Sequence, residues 1–142
     1  MERQPICETY PDGSKAWSLD GNLHRTDGPA VERPDGSKAW YLDGKRHRTN
    51  GPAYEEPDGT KQWYLDGKPH RIDGPACEWL DGSKAWYLDG KRHRTDGPAY
   101  EWPDGTKQWW LDGEPVPWQM VYHRAATDEA RLSILVAALT KP

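Results

Sequence analysis

A 23-residue unit decides the fold, and its fullest copy, residues 34–56, reads PDGSKAWYLDGKRHRTNGPAYEE. The 14 glycines of the chain are spaced 8, 7 and 8 residues apart, a pattern that closes every 23 residues. Five copies are visible, the last one truncated, and they begin at Pro11, Pro34, Pro57, Leu80 and Pro103. A fixed period of this length indicates a repeat architecture.

Asp-Gly pairs predict the turns of the repeat. In the whole chain, 13 of the 14 glycines follow Asp and the remaining one follows Asn. Asp43-Gly44 predicts a type I′ hairpin turn, in which both central residues take a positive φ. Pro34-Asp35-Gly36 suits a type I turn followed by a left-handed glycine. The runs between the turns, four to six residues long, fit strands and are too short for helices.

These turns predict an all-β repeat array, an antiparallel β-hairpin meander of five units with a C-terminal capping α-helix. A β-solenoid with one unit per rung is the alternative. Asp-Gly turns favour the meander because type I′ turns reverse the chain, whereas the corners of a solenoid turn it less sharply. The predicted boundaries are an N-terminal capping strand over 1–10, repeats over 11–117, and a cap with a strand and a helix over 118–142.

The composition is poor in aliphatic side chains, because Leu, Ile, Val and Phe together number 17 of 142 residues. A share below about 20% is typical of disorder when the net charge is high. Here the net charge is only −4, and 9 Trp and 7 Tyr are available for burial. An aromatic core is therefore predicted. Because 13 of the 14 Asp residues precede Gly, the acidity reflects turn chemistry rather than an acidic functional surface.

The sequence predicts a soluble, cytoplasmic protein. No apolar run approaches the roughly 18–20 residues of a membrane span, and the N-terminus lacks the layout of a signal peptide.

The two cysteines are predicted to be free thiols. Cys7 and Cys77 lie about three repeats apart, too far in a stacked array for a disulfide. Cys77 takes the repeat position of Val31, Tyr54 and Tyr100, which predicts a small buried hydrophobe.

The stretch from Trp40 to His47, followed by Gly51 and then Pro57-Asp58-Gly59, resembles the MORN repeat and its bacterial variants. The resemblance covers residues 11–117, although MORN motifs place Gly directly after the His and here Arg follows. The string His-Arg-Thr-Asp-Gly-Pro-Ala is more similar still to tandem-repeat proteins of tailed bacteriophages. The resemblance implies an elongated, non-catalytic scaffold with protein or lipid contacts. It also implies a phage-encoded inhibitor of a host protein, such as a defence effector, in the cytoplasm of the host cell.

Two ladders of basic side chains recur with the period, the histidines at 24, 47, 70 and 93 and the arginines that follow each of them. One interpretation is internal pairing of the arginines with a glutamate ladder at 32, 55, 78 and 101. The other is a basic stripe that binds phosphate or an acidic protein surface. An isoelectric point near 5.7 disfavours nucleic acid. Neighbouring histidines of a meander lie about 9–10 Å apart, too far to share a zinc ion, so no metal is predicted and the histidines are expected to bond turn backbone.

Aromatic side chains replace charged ones in the later units. One strand position reads Arg33, Glu56, Trp79 and Trp102 along the chain, and Tyr64 becomes Trp110 in the later copy. These Trp residues either bind a partner, since aromatics and Arg dominate interface energetics, or thicken the core near the cap. The candidate partner-binding residues are Arg46, His47, Arg48, Arg71, Arg92, His93, Arg94, Trp79, Trp102 and Trp110.

The tail departs from the repeat after Gly113. Residues 118–122 are predicted to be a last strand, and Thr127 to cap a helix of about 12 residues. That helix should either cap the array or dimerise through one apolar face, which consists of Leu132, Leu135, Val136 and Leu139.

The chain has no Gly-rich phosphate loop, no nucleophile elbow and no His/Cys pairing outside the repeat, so neither catalysis nor a cofactor is predicted. The sequence predicts a non-enzymatic scaffold for a macromolecular partner, with a protein favoured. A nucleic-acid or nucleotide binder that uses the Arg/His ladder is the first alternative, and a membrane-surface lipid binder by MORN analogy is the second.

Overall fold

The computed structural model describes residues 3–140, and the chain divides into two compact units. The first unit extends to Pro69 and the second begins at His70. Both units are built from antiparallel β-hairpins, and the second also carries two helices. The hairpins predicted from the Asp-Gly turns are therefore confirmed.

The first unit is a row of short strands. Strands β1, β2, β4, β5, β8 and β9 pair in that order, each antiparallel to the next, while β3 pairs with β2, and β6–β7 and β10–β11 form separate hairpins. The strands are β1 (Ile6–Thr9), β2 (Lys15–Leu19), β3 (Asn22–Leu23), β4 (Val31–Glu32), β5 (Lys38–Ala39), β6 (Tyr41–Leu42), β7 (Lys45–Arg46), β8 (Tyr54–Glu55), β9 (Lys61–Gln62), β10 (Tyr64–Leu65) and β11 (Lys68–Pro69).

The second unit repeats this plan and adds the helices. Strands β12, β13, β16 and β17 pair in that order, and β14–β15 and β18–β19 form separate hairpins. Its elements are β12 (Cys77–Glu78), β13 (Lys84–Ala85), β14 (Tyr87–Leu88), β15 (Lys91–Arg92), β16 (Tyr100–Glu101), β17 (Lys107–Gln108), β18 (Trp110–Leu111), β19 (Glu114–Pro115), α1 (Trp118–Arg124) and α2 (Asp128–Leu139).

Two of the three turns in each 23-residue repeat have the predicted geometry. Asp43 and Gly44 both have a positive φ, 50° and 80°, which is the type I′ conformation. At the other turn Gly36 has φ 93°, and the N–H of Ser37 donates to Oδ1 of Asp35 at 2.8 Å. That backbone hydrogen bond lowers the pKa of Asp35. The turns predicted from the Asp-Gly and Pro-Asp-Gly motifs are confirmed.

The predicted aromatic core takes a different form. The fully buried residues of the repeats are small, above all Ala30, Ala53, Ala76 and Ala99, whereas the Trp and Tyr rings are half-buried. Ala39 lies directly opposite Tyr54 in the register, so large rings pack beside methyl groups and keep one edge exposed. Each hairpin thus combines one small buried residue with rings that cover it only in part.

The first segment of the tail is helical rather than extended. Residues 118–122, predicted to be a strand, belong to α1, which begins directly after Pro117. Trp118, Val121 and Tyr122, with Ala125 beyond them, follow the i, i+3, i+4, i+7 pattern and all face one core cluster. The predicted strand is wrong, because the apolar residues of this segment follow the helical period and not the alternation of a strand.

Helix α2 begins as predicted, because the hydroxyl of Thr127 accepts a hydrogen bond from the N–H of Ala130 at 3.0 Å. The predicted apolar face is not the one that packs into the core, and dimerisation through it stays a prediction. Leu132, Val136 and Leu139 are 63%, 60% and 72% exposed, and Leu135 is half-buried. The buried residue is Ile134, which packs against Leu111, Val121 and Ala125.

A lysine from the sheet holds the other end of α2. Nζ of Lys107 donates to the carbonyl oxygens of Ala137 at 2.8 Å and Thr140 at 3.3 Å. These carbonyls have no partner within the helix, and a cation there also interacts favourably with the helix dipole. Neither helix found in residues 3–140 has the length and apolar character needed to cross a bilayer.

Both cysteines are unpaired, as predicted, with Cys7 exposed and Cys77 buried. Burial raises the pKa of Cys77 to about 11. At pH 7.5 its thiolate fraction is therefore roughly 100-fold below that of a cysteine with the ordinary pKa of 9.0, and the thiolate is the reactive form. We expect one thiol, that of Cys7, to react with Ellman's reagent in the native protein and a second only after unfolding. A Cys7→Ser variant should show no fast phase, and rapid labelling of this variant would contradict the burial of Cys77.

Candidate functional site

The ten candidate residues fall into two groups with different surroundings. The loop group lies between hairpins and consists of His47, Arg48, Arg71, His93 and Arg94. The sheet group has one member in the first unit, Arg46. Its members in the second unit are Trp79, Arg92, Trp102 and Trp110.

Arg94 shows what the arginines of the loop group do. Its Nε donates to Asp96 at 2.8 Å, and one terminal nitrogen donates to the carbonyl of Pro98 at 3.0 Å and to Glu101 at 3.2 Å. Its guanidinium carbon lies 3.9 Å from the ring centroid of Trp86. The flat face of the guanidinium thus contacts an aromatic ring, and one of its edges donates hydrogen bonds to the loop and to Glu101.

The other loop arginines repeat this arrangement. Arg48 stacks on Trp40 at 3.8 Å and bonds Pro52 and Glu55. Arg71 bonds its own loop Asp, Pro and Glu in the same way, as does Arg25. The predicted pairing of the arginine ladder with the glutamate ladder is confirmed.

The third glycine of each 23-residue repeat lies against a loop arginine and does not form a left-handed turn. Gly97 lacks a positive φ, but a Cβ placed on it would lie 2.7 Å from the guanidinium carbon of Arg94. Gly28, Gly51 and Gly74 show the same approach at 3.0 Å to their own arginines. Glycine is needed here because the guanidinium lies against the backbone.

The histidines bond turn backbone, as predicted. Nδ1 of His47 accepts a hydrogen bond from the N–H of Asp66 at 3.1 Å, and Nδ1 of His93 accepts one from the N–H of Asp112 at 2.9 Å. Each bond links one hairpin turn to the next along the chain. Within residues 3–140, no cluster of three or more His, Cys, Asp or Glu side chains is arranged to hold a metal ion.

Each unit has an open groove between two successive arginine loops, of about 520 Å³ in the first unit and 430 Å³ in the second. Trp40 and Trp86 line the two grooves at equivalent positions. The guanidinium groups that line the grooves already bond their own loops, so the walls are held by internal contacts. One difference is that Asn50 stands in the first groove where Asp96 stands in the second.

Three rings of the second unit are in contact. The ring centroid of Tyr100 lies 5.8 Å from that of Trp79 in a stacked pair and 4.0 Å from that of Trp102 in a pair tilted by 35°. Tyr100 and Trp102 are two residues apart on an extended segment, so their side chains share one face. The paired strands β12, β13 and β16 carry Trp79 to the same face.

Arg92 joins these rings to the next hairpin. Its guanidinium carbon lies 4.9 Å from the centroid of Tyr100, 5.1 Å from Trp110 and 5.9 Å from Tyr87. Its Nε donates to the hydroxyl of Tyr87 at 3.0 Å. We call this set the aromatic–arginine surface, and it consists of Trp79, Tyr87, Arg92, Tyr100, Trp102 and Trp110.

The aromatic–arginine surface contains two residues that the candidate set omitted, Tyr87 and Tyr100. The signal for Tyr87 was its register, since it lies directly opposite Arg92 in a two-residue hairpin. The signal for Tyr100 was its position two residues before Trp102. All six side chains are half-buried, so each presents part of its ring or guanidinium to solvent.

The first unit carries charge where the second is aromatic. The guanidinium carbon of Arg46 lies 4.8 Å from the ring centroid of Tyr54 and 5.4 Å from that of Tyr64. Arg92 lies at similar distances from the equivalent rings of the second unit. The two tryptophan positions, however, hold Arg33 and Glu56. The hydroxyl of Tyr54 donates to Glu56 at 2.5 Å, which raises the pKa of Tyr54.

No model of a known protein family matches the chain, and no curated protein sequence matches it. The aromatic–arginine surface combines one stacked and one tilted ring pair with an arginine that lies within 5.9 Å of three ring centroids, and all of these side chains are partly exposed. Chemically it can offer flat apolar faces and one delocalised positive charge.

Proposed function

We propose that the chain is a non-catalytic, MORN-like repeat scaffold that binds a protein partner through the aromatic–arginine surface. The observation that carries the proposal is the meeting of three Trp, two Tyr and one Arg on one half-exposed face. Tryptophan, tyrosine and arginine are the residues that most often dominate the energetics of protein interfaces. A phage-encoded inhibitor of a host protein is the case in which the partner belongs to the host.

The internal contacts of the surface support this proposal. Tyr100 contacts Trp79 and Trp102, and Arg92 donates to the hydroxyl of Tyr87, so these side chains lose less conformational freedom when a partner binds. A guanidinium is also weakly hydrated and stacks on rings, which makes its burial at an interface less costly than that of an ammonium group. The hairpin meander proposed for the repeats, in preference to a β-solenoid, is supported by antiparallel pairing within both units.

The two alternatives find less support. Binding of nucleic acid or lipid phosphates through the Arg/His ladder needs guanidinium groups with available donors. Arg48 and Arg94 instead bond loop carbonyls and the glutamates Glu55 and Glu101. A phosphate would therefore compete with Glu55 and Glu101 for the charge of each guanidinium.

The test is a comparison of partner capture by the wild-type protein and by Trp79→Arg/Trp102→Glu. This double variant places in the second unit the residues that the first unit has 46 positions earlier, Arg33 and Glu56, so the scaffold is expected to accept them. We expect the captured partner, identified by mass spectrometry from a host lysate, to bind the purified variant about 30-fold or more weakly in calorimetry. The melting temperatures of the two proteins should stay close.

The matched control is Ile72→Thr, because Ile72 is 86% exposed in a groove of the second unit and Thr stands at the equivalent positions 26, 49 and 95. This variant should bind the partner like the wild type. Equal binding by the double variant would contradict the proposal. Loss of binding in Ile72→Thr alone would assign the partner to the loop groove instead.

A further inference from the structure

A small pocket of about 40 Å³ lies in the first unit. Its polar lining includes Arg33 and Arg46 together with the hydroxyl-bearing residues Ser37, Tyr41 and Tyr54. Ser37 is 4% exposed and Arg33 is exposed, so the pocket extends from the solvent edge to a buried hydroxyl residue. Two guanidinium side chains therefore line one small space.

The two arginines differ from the arginines of the loops. Across residues 3–140, neither Arg33 nor Arg46 forms an ion pair with a carboxylate. Arg46 donates instead to neutral acceptors, the hydroxyl of Tyr41 at 3.3 Å and the side-chain oxygen of Gln62 at 3.4 Å. The pocket thus gathers positive charge that internal carboxylates do not pair with.

Other charged groups near the pocket offset part of its charge without forming, within residues 3–140, an ion pair with its arginines. Hydrogen bonds from Ser14 and Ser37 lower the pKa values of Asp12 and Asp35, and the charge of Arg33 lowers both further. Lys38 also lines the pocket, but its register partners on both sides are Glu32 and Glu55, which carry the opposite charge. Glu56 accepts the hydrogen bond of the Tyr54 hydroxyl and makes no ion pair with either arginine in the described part of the chain.

We propose that this pocket binds one carboxylate group, that of an Asp or Glu side chain in a peptide or protein. A water molecule needs roughly 10–15 Å³ of such space, so about 40 Å³ takes about three heavy atoms. A carboxylate has three, whereas a phosphate ion has five. The planar fork of a guanidinium also matches the two oxygens of a carboxylate.

The second unit provides an internal comparison. At the positions equivalent to Ser37, Tyr41, Arg46 and Tyr54 it has Ser83, Tyr87, Arg92 and Tyr100, which are the same residue types. At the position of Arg33 it has Trp79, whose ring stacks on Tyr100. The second unit therefore has one guanidinium where the first has two, and carboxylate binding belongs to the first unit alone. This inference is independent of the proposed function, which concerns the second unit.

The experiment follows the Nε–H resonances of Arg33 and Arg46 in ¹⁵N-labelled protein during titration with N-acetylglutamate amide at constant ionic strength. This probe carries one carboxylate, and N-acetylglutamine amide is its uncharged match. We expect saturable shifts with the glutamate probe only, with a dissociation constant on the order of millimolar. Inorganic phosphate, the second arm, should bind more weakly.

Substitutions then separate charge from geometry. Arg33→Trp copies the second unit and should weaken binding at Arg46 about tenfold, while Arg33→Lys keeps the charge without the fork and should weaken it about threefold. Arg33 is exposed, so both variants are expected to fold. Trp79→Arg should create a saturable shift at Arg92. The absence of saturable shifts in the wild type, equal shifts with the glutamine probe, or tighter binding of phosphate would each overturn the proposal.

Discussion

Replacement of Ile134 by alanine is expected to destabilise the second unit by about 2–5 kcal/mol. Ile134 is 0% exposed and packs against Leu111, Val121 and Ala125, in a cluster that includes residues of the last hairpin and of both helices. Removal of its side chain leaves a cavity that this small cluster has few neighbours to fill. The measurement is urea unfolding followed by far-ultraviolet circular dichroism and tryptophan fluorescence.

The matched controls are two leucines of the same helix, Leu132 and Leu139, which are 63% and 72% exposed. Leu132→Ala and Leu139→Ala should each change the free energy of unfolding by less than about 0.5 kcal/mol. Leucine and isoleucine lose similar side-chain volume on truncation, so the comparison isolates burial. A larger loss for Leu139→Ala than for Ile134→Ala would mean that the helix docks through the face predicted from the sequence.

The face through which α2 packs differs from the predicted apolar face for a physical reason. The aliphatic pattern selects the residues at 132, 135, 136 and 139, because it ranks side chains by hydrophobicity and ignores what they must fit against. The packed face instead includes Ala130 with Ile134, so one large side chain enters a small core beside a small one. The Lys107 bond to the last turn comes from a strand, and no pattern within the helix indicates it.

The hairpin turns were predictable because their causes lie within four residues. A type I′ turn follows from Asp43-Gly44 alone, and the bond from Ser37 N–H to Asp35 is equally local. The strand series that ends in Trp79 and Trp102 was likewise found from the period of 23 residues. Such features need no knowledge of the tertiary packing.

The partners of the arginines needed the tertiary structure. The sequence places Arg46 and Arg48 two residues apart with the same charge, yet one lies over tyrosine rings and the other lies in a loop against Gly51. Strand alternation would put both on one face, and the loop conformation after Arg46 separates them. The candidate set therefore combined side chains of the sheet face with side chains that hold the loops together.

Replacement of Arg94 by alanine is expected to lower the free energy of unfolding of the second unit by about 2–4 kcal/mol. The carbonyl of Pro98, a fully buried residue, loses its hydrogen-bond donor, and the ring of Trp86 loses the guanidinium that covers it. The neighbouring Thr95→Ala, at an exposed position of the same loop, is the control and should change the free energy by less than about 0.5 kcal/mol.

Gly97→Ala should destabilise the unit to a similar extent, although it removes no atom of the network. The new Cβ would stand 2.7 Å from the guanidinium carbon of Arg94, so the guanidinium must move into the groove that it lines and weaken its contacts with Asp96, Glu101 and a ring. In the Arg94→Ala background the same glycine substitution should have little further effect, because its steric partner is gone. Additive losses in the double variant would instead show that Gly97 is required by the backbone itself, and denaturant unfolding of the four proteins decides between the two.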